Sequence, residues 1–171
     1  MHGGDVFEKF EDVAALAVFL AAQADHDRYV IDYIDYRSVD GFFRKYRFLF
    51  IGGEILPYHL AIGDDWKLHR DSTEMGRHVW MQDEEEGFLR DPEQVFGAAH
   101  YEALRLIRDR IGLDYFGIDC GLDRDGKLVV FEVNASMLVH DQNPEFPYKD
   151  LYISRIKVAF DAMLERVARG N

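Results

Sequence analysis

The sequence predicts an α+β fold in which an antiparallel sheet is flanked by helices. Residues 115–122 and 127–134 are apolar runs on either side of a segment that contains Asp125-Gly126, a pair typical of β-hairpin turns. Gly52-Gly53 separates a second pair of apolar runs in the same way. With 171 residues and 48% apolar content, we expect a single domain, residues 1–171, with a sizeable core.

Three segments have apolar residues at helical spacing, and we expect those residues to lie in the core. The first covers residues 5–24 and would pack on one side of the sheet. The second begins at Asp91-Pro92, where Asp91 suits a helix cap and Pro92 suits the first turn, and it runs to Gly112. The third covers residues 149–169.

Residues 63–90 and 139–148 are predicted to be loops. The first is long for a structureless connection, which indicates either a functional lid or mobile surface. Its basic side chains are either substrate contacts or solvated loop residues: Lys67, His69, Arg77 and His78. We interpret the isolated imidazoles His59 and His140 as satisfied surface groups.

Asp119, Glu132 and Asn134 stand out within the 115–134 hairpin as oxygen-bearing side chains in apolar runs. If the hairpin loop holds an even number of residues, they share one face with Gly117, Gly121 and Val130, and the other face carries Phe116, Ile118, Cys120, Val129, Phe131 and Val133. Neighbouring carboxylates repel unless a cation lies between them, and oxygen ligands suit Mg²⁺. The pattern indicates a metal-phosphate site or, alternatively, a solvated acidic face.

The segments Phe116-Gly117-Ile118-Asp119 and Phe131-Glu132-Val133-Asn134 resemble the metal-binding end of the ATP-grasp superfamily. That family includes D-alanine:D-alanine ligase, glutathione synthetase and the ribosomal-protein glutamate ligases. Its members use an Asp and a Glu-x-Asn pair on adjacent antiparallel strands to hold Mg²⁺ against the β- and γ-phosphates of ATP. The resemblance implies that Asp119, Glu132 and Asn134 bind Mg²⁺, or Mn²⁺ in its place.

Residues 28–35 and 41–62 also resemble this family, in its order of a hinge strand, a strand with an inward Arg and a returning strand. The resemblance implies that the backbone of Asp32 to Ile34 faces adenine and that Asp35 approaches the ribose. It also implies that Arg47 is a catalytic residue directed at phosphates or an acyl phosphate. Lys45 is either a further contact to ATP or part of a solvated strand edge.

The start of the chain, Met1-His2-Gly3-Gly4-Asp5, resembles the tail of the family's glycine-rich loop over the ATP phosphates. The alternative is a disordered terminus or a cloning remnant. The family ordinarily carries an N-terminal domain and a Lys-bearing strand before this loop, and it often has Thr/Ser-Pro where Ala135 and Ser136 follow Asn134 here. We therefore expect the C-terminal part of an ATP-grasp domain that lacks its N-terminal part.

The resemblance, which spans roughly residues 1–139, implies a function. It predicts the ATP- and Mg²⁺-binding portion of a carboxylate-amine ligase, or less often a carboxylate-thiol ligase, that acts through an acyl phosphate and is inactive as an isolated chain. The implied partners are ATP, a small-molecule or peptide carboxylate or amine, and the missing N-terminal half. The alternative is a non-catalytic module that binds a nucleotide or metal, or that serves in interactions.

Composition limits the other functional classes. The net charge of −12 argues against a nucleic-acid-binding surface, which needs clustered Lys and Arg. The single cysteine, Cys120, excludes an internal disulfide framework and is predicted to be buried among apolar neighbours. No signal-peptide pattern and no apolar run long enough to span a bilayer is present, so we expect a cytoplasmic protein without a membrane partner.

Overall fold

The computed structural model of the chain describes residues 7–22, 28–68 and 73–170. It divides into two compact units, Met1–Asp35 and Tyr36–Asn171, each of which is described by itself. No helix in these three described ranges is both long and apolar enough to cross a membrane.

The N-terminal unit contains one helix, α1, which covers Val13–Ala22. Asp12 caps it, because the Asp12 side chain accepts a hydrogen bond from the Ala15 backbone N–H at 2.7 Å. The expectation that its apolar residues are core is wrong, since no residue of α1 is buried. The helix is apolar all round, so its residue spacing does not single out a face. Residues 28–35 form no strand, and the predicted hinge strand is therefore not observed.

The larger unit confirms the α+β prediction. Its four strands form one antiparallel sheet in the order β2-β1-β3-β4, and its helices pack on both faces. In chain order the elements are β1 (Phe43–Ile51), β2 (Glu54–Gly63), α2 (Val79–Arg90), α3 (Ala98–Ile111), β3 (Tyr115–Leu122), β4 (Leu128–Asn134) and α4 (Lys149–Ala168). As predicted, Gly52 and Gly53 form the β1–β2 turn; both have positive φ angles, 58° and 100°, that favour glycine.

The predicted helix of residues 5–24 begins only at Val13, since residues 7–12 are not helical. Two boundaries in the larger unit also differ from the sequence prediction. Residues 63–90 are not all loop, because they contain a 3₁₀ turn at Met75–Arg77 and the whole of α2. The second predicted helix does not start at Asp91-Pro92: Pro92–Gln94 is a separate 3₁₀ turn, and α3 begins after Gly97. Phe96 is fully buried between these two segments, so the chain bends there to place its ring in the core.

The two faces of the sheet have different covers. The face that carries Cys120, here called the Cys120 face, packs against α2 and α3 through a large aromatic core. The opposite face, the Asp119 face, is covered at one end by α4, which packs on Leu49 and Ile51. At the other end it carries a small apolar cluster of Tyr36, Phe43 and Leu68. Charged side chains lie on the Asp119 face between these two apolar clusters.

Candidate metal and phosphate site

A β-bulge places Glu132 on the Asp119 face. The β3–β4 loop, residues 123–127, has an odd number of residues, and it sets Cys120 opposite Val130. Continued without interruption, this register would put Phe131 opposite Asp119 and turn Glu132 to the Cys120 face. A register shift between Asp119 and Cys120 corrects this, so Asp119 pairs with Glu132. Bulges of this kind re-aim side chains and occur often beside functional sites.

Because of the bulge, the sequence prediction of which side chains share a face is right for some residues of the hairpin and wrong for others. Asp119, Glu132, Asn134 and Gly117 do share a face, since Gly117 pairs with Asn134 two residues beyond the Asp119–Glu132 pair. The predicted sides of Val129, Val130 and Phe131 are wrong: Val129 lies opposite Gly121, Val130 lies opposite Cys120, and the Phe131 ring packs beside Gly121 on the Asp119 face. The reason is the odd loop, which reverses the alternation on the turn side of the bulge.

The two glycines on the Asp119 face make room for neighbouring side chains. A Cβ atom at Gly117 would collide with the sulfur of Met137. A Cβ at Gly121 would lie 2.8 Å from the Phe131 ring and 3.0 Å from the Tyr36 ring. The rings of Tyr36 and Phe131 themselves are in contact, with centroids 4.7 Å apart. Glycine at these positions is therefore a packing requirement of this face.

Arg47 and Lys45 converge on Asp119. Arg47, which is opposite Asp119 in the β1–β3 register, donates from Nε to Oδ1 at 2.6 Å and from Nη2 to Oδ2 at 2.9 Å. Lys45 Nζ lies 3.3 Å from Oδ2 and also donates to the Leu68 carbonyl oxygen at 2.9 Å. Asp119 is only 3% exposed. Burial alone would raise the pKa of Asp119, but the hydrogen bonds and charge of Arg47, reinforced by Lys45, lower it below its usual value.

Glu132 and Asn134 form the more accessible side of the site. Glu132 is exposed, and its Oε1 lies 3.4 Å from the Asn134 Nδ2 that donates to it. Asn134 Oδ1 accepts a hydrogen bond from the backbone N–H of Ser136 at 2.8 Å, which orients the amide. Burial alone would lower the pKa of Arg47, but the hydrogen bonds and charge of Asp119 and, more weakly, the charge of Glu132 raise it.

The oxygen donors of this set fit a hard divalent cation such as Mg²⁺. Within the described ranges no three His, Cys, Asp or Glu side chains are grouped so that they could hold a metal, and the predicted set offers two carboxylates and one amide instead. Both Asp119 oxygens accept hydrogen bonds from Arg47. Each carboxylate oxygen has two lone pairs, so Asp119 keeps coordinating capacity, and Glu132 is open to solvent.

The other predicted site residues fall into three groups. His2, Gly3, Gly4 and His69 lie outside the described residues. Asp32, Ile34 and Asp35 belong to the N-terminal unit. Arg77 and His78 both contact Glu74, at 2.9 and 3.3 Å, in exposed pairs near the start of α2. The buried position predicted for Cys120 is observed.

Sequence reasoning missed one cluster entirely. His59, interpreted as a satisfied surface group, lies opposite Arg47 in the β1–β2 register. Its Nδ1 is 2.5 Å from Oε1 of Glu85 and 2.9 Å from Nζ of Lys149. Glu132, Asp119, Arg47 and His59 thus form one row across the four strands of the sheet. The sequence contains one signal for this cluster. Glu85 lies between Met81 and Phe88 at the spacing of residues on the buried side of a helix.

Comparisons of the chain with protein-family models, with curated proteins and with solved structures found no match.

Proposed function

We propose that the chain is the ATP- and Mg²⁺-binding portion of an ATP-grasp-like ligase that joins a carboxylate to an amine or a thiol. The observation that supports this most is the pairing of Glu132, Asp119 and Arg47 on three adjacent strands of one face. Two acids and a cation in a row provide groups both for a divalent ion and for the phosphate oxygens that the ion accompanies. The use of ATP fits a cytoplasmic protein.

Each residue of the row has a distinct part in this proposal. Asp119, Glu132 and Asn134 would hold Mg²⁺, which when bound neutralises charge on the phosphates. Arg47 would stabilise the negative charge that develops on the transferred phosphoryl group and on an acyl phosphate. Lys45, which already contacts Asp119, would add a second positive charge on the phosphate side. Transfer of this kind depends on positioning and charge neutralisation, so it needs no Ser or Cys nucleophile.

A second candidate is a module that binds a nucleotide or metal without turnover. The closed, two-bond pair between Arg47 and Asp119 favours it over a ligase, because a guanidinium held by a buried carboxylate is less available to stabilise a transferred phosphoryl group. Both candidates predict nucleotide binding. They differ in turnover of ATP by the assembled ligase when a carboxylate and an amine are supplied together, because the isolated chain is expected to be inactive in either case.

Amide NMR spectra of the chain titrated with Mn²⁺-ATP test the proposal. The paramagnetic ion should broaden the signals of Asp119, Glu132 and Asn134 first. Glu132→Gln should abolish this broadening, whereas Glu102→Gln, the same charge change at an exposed position of α3, should leave it intact. Broadening that is absent, or that is equal in the Glu132→Gln variant, would refute both the ligase and the nucleotide-binding module.

A further inference from the structure

Glu85 is a fully buried acid of α2 that lies against the outer edge of β2. Its Oε1 accepts a hydrogen bond from the backbone N–H of Leu60 at 3.0 Å, and its Oε2 accepts one from the Tyr148 hydroxyl at 2.5 Å. Lys149 Nζ lies 2.7 Å from Oε1. Burial alone would raise the pKa of Glu85, but hydrogen bonds from His59 and Lys149 and the positive charge of Lys149 lower it well below its usual value. Glu85 is therefore ionised and firmly held.

The imidazole of His59 is neutral near pH 7. Burial lowers the pKa of His59, and the positive charges of Lys149 and Arg47 lower it further, against the opposing effect of Glu85. These groups come from three elements: Glu85 from α2, Lys149 from the start of α4 and Arg47 from β1. A neutral imidazole carries one ring proton, so one of its nitrogens is an acceptor.

The contact with Glu85 decides which nitrogen that is. Two contacts at Nδ1 favour opposite tautomers: Lys149 Nζ, 2.9 Å away, can only donate, whereas an ionised carboxylate can only accept. The contact with Glu85 Oε1 is the shorter, at 2.5 Å, and Lys149 Nζ also lies 2.7 Å from that oxygen, which can accept its proton instead. We therefore assign the ring proton to Nδ1. Nε2 then bears a free lone pair. Within the described residues no hydrogen bond reaches Nε2, and the His59 side chain is 30% exposed. The arrangement is that of a base oriented by a buried acid.

The backbone places this base beside the proposed phosphate site. His59 and Arg47 are paired across β1 and β2, and paired residues on one face of antiparallel strands have Cβ atoms about 4.5–5.5 Å apart. Arg47 is the residue proposed to stabilise the acyl phosphate. A nucleophile that attacks that acyl group would approach within reach of the His59 side chain.

We propose that Nε2 of His59 accepts the proton of the incoming amine in the acyl-transfer step, an inference that rests on the proposed ligase function. The amine nitrogen bonds to the acyl carbon, the bond from that carbon to the phosphate oxygen breaks, and phosphate leaves with the electron pair. The proton of the amine nitrogen passes to Nε2 and then to solvent. Glu85 is a positioning residue, because it fixes the tautomer and the orientation of the ring.

Nitrogen-15 NMR of the histidine rings in the intact wild-type chain tests the tautomer without any variant or ligand. His59 should carry its proton on Nδ1. His100 is an internal control of the opposite tautomer, because its Nδ1 accepts from the Gly97 N–H at 3.0 Å and its Nε2 lies 2.6 Å from the Gly126 carbonyl oxygen. A proton on Nε2 of His59 would overturn the inference. In Glu85→Gln the His59 tautomer should become mixed while that of His100 stays unchanged.

The same spectra test the position of His59. Saturating Mg²⁺-ATP should shift the His59 ring signals and leave those of His100, on α3, unchanged. Calorimetry on the same sample reports whether the nucleotide binds at all. Bound nucleotide with unmoved His59 signals would overturn the inference and leave the proposed function standing. Absence of binding heat would refute the proposed function, and the inference would fall with it whatever tautomer is found.

Discussion

Arg47 holds Asp119 through two hydrogen bonds of 2.6 and 2.9 Å across adjacent strands. The fork of the guanidinium matches the carboxylate, which gives one fixed arrangement rather than a loose ion pair. Asp119 is almost wholly buried, whereas the Arg47 side chain is 26% exposed. The pair therefore stabilises the sheet and also belongs to the proposed ligand site. Substitutions can separate these two roles.

Asp119→Asn should lower both stability and ligand binding. The change leaves the Arg47 charge without its partner, and we expect a loss of about 2 kcal/mol in the free energy of unfolding, below the usual cost of breaking a buried pair because Arg47 is partly exposed. Urea unfolding measures this loss. Glu132→Gln is the matched control: Glu132 is exposed, so we expect a change within about 0.5 kcal/mol. Equal losses of unfolding free energy in Asp119→Asn and Glu132→Gln would contradict the view that Asp119 stabilises the sheet whereas Glu132 does not.

Stability should fall as the solution is acidified. The pKa values of Asp119 and Glu85 are both lowered by folding, the latter to about 2. Their contribution is fully present above the unfolded-chain values near pH 4 and is lost as the pH falls toward 2. The pKa of His59 is also lowered, so some stability is lost already below its unfolded value of about 6.5.

Glu85→Gln isolates one part of this pH dependence. The variant should be less stable than the wild type at pH 7 by about 3 kcal/mol, the usual cost of removing one partner of a buried ion pair, here the pair of Glu85 with Lys149. The difference should shrink between pH 4.5 and 2, because the wild-type carboxyl becomes protonated there. Thermal unfolding across this range measures it, with Glu102→Gln expected to parallel the wild type. A difference that does not depend on pH would show that packing, not charge, is responsible.

The sequence predicted the four strands of the two hairpins well because turn chemistry is local, whereas the strand predicted at residues 28–35, which no turn pair marks, is not observed. Gly52-Gly53 and Asp125-Gly126 mark both hairpins, and Gly126 has the positive φ, 74°, that this residue allows. The face of Glu132 could not be derived in the same way. The odd loop alone predicts the wrong face, and the bulge that corrects it depends on pairing between strands rather than on any residue pattern.

The sequence did not predict α2, because a buried acid, Glu85, interrupts the apolar side of this helix. Met81, Glu85 and Phe88 lie on its buried side, at the spacing of an amphipathic helix. An acid at the middle position breaks the apolar pattern and makes the segment resemble a solvated loop. Its partners, His59 and Lys149, come from β2 and α4, which are far apart in the sequence. A buried charge is recognisable from sequence only when its partners are known.

Cys120 should be unreactive in the folded protein. It is fully buried, and burial raises the pKa of its thiol, with the charge of Asp119 adding to the effect. Reaction with a maleimide at pH 7 should therefore occur only through unfolding, with a rate that increases as urea approaches the unfolding transition. Rapid labelling in the absence of denaturant, followed by intact-mass spectrometry, would contradict the burial of this strand residue.

Gly117→Ala should destabilise the Asp119 face. The added Cβ would collide with the sulfur of Met137 and lie 3.2 Å from Leu49 Cδ2, so the Met137 side chain would have to move within its buried cluster. Overpacking of this kind costs about 1–3 kcal/mol. Gly87→Ala in α2 is the matched control: a Cβ there meets nothing within 4 Å, and replacing glycine within a helix should stabilise by about 0.5–1 kcal/mol. Urea unfolding should give changes of opposite sign for the two alanines, because the same methyl group enters a packed face in one and open space in the other.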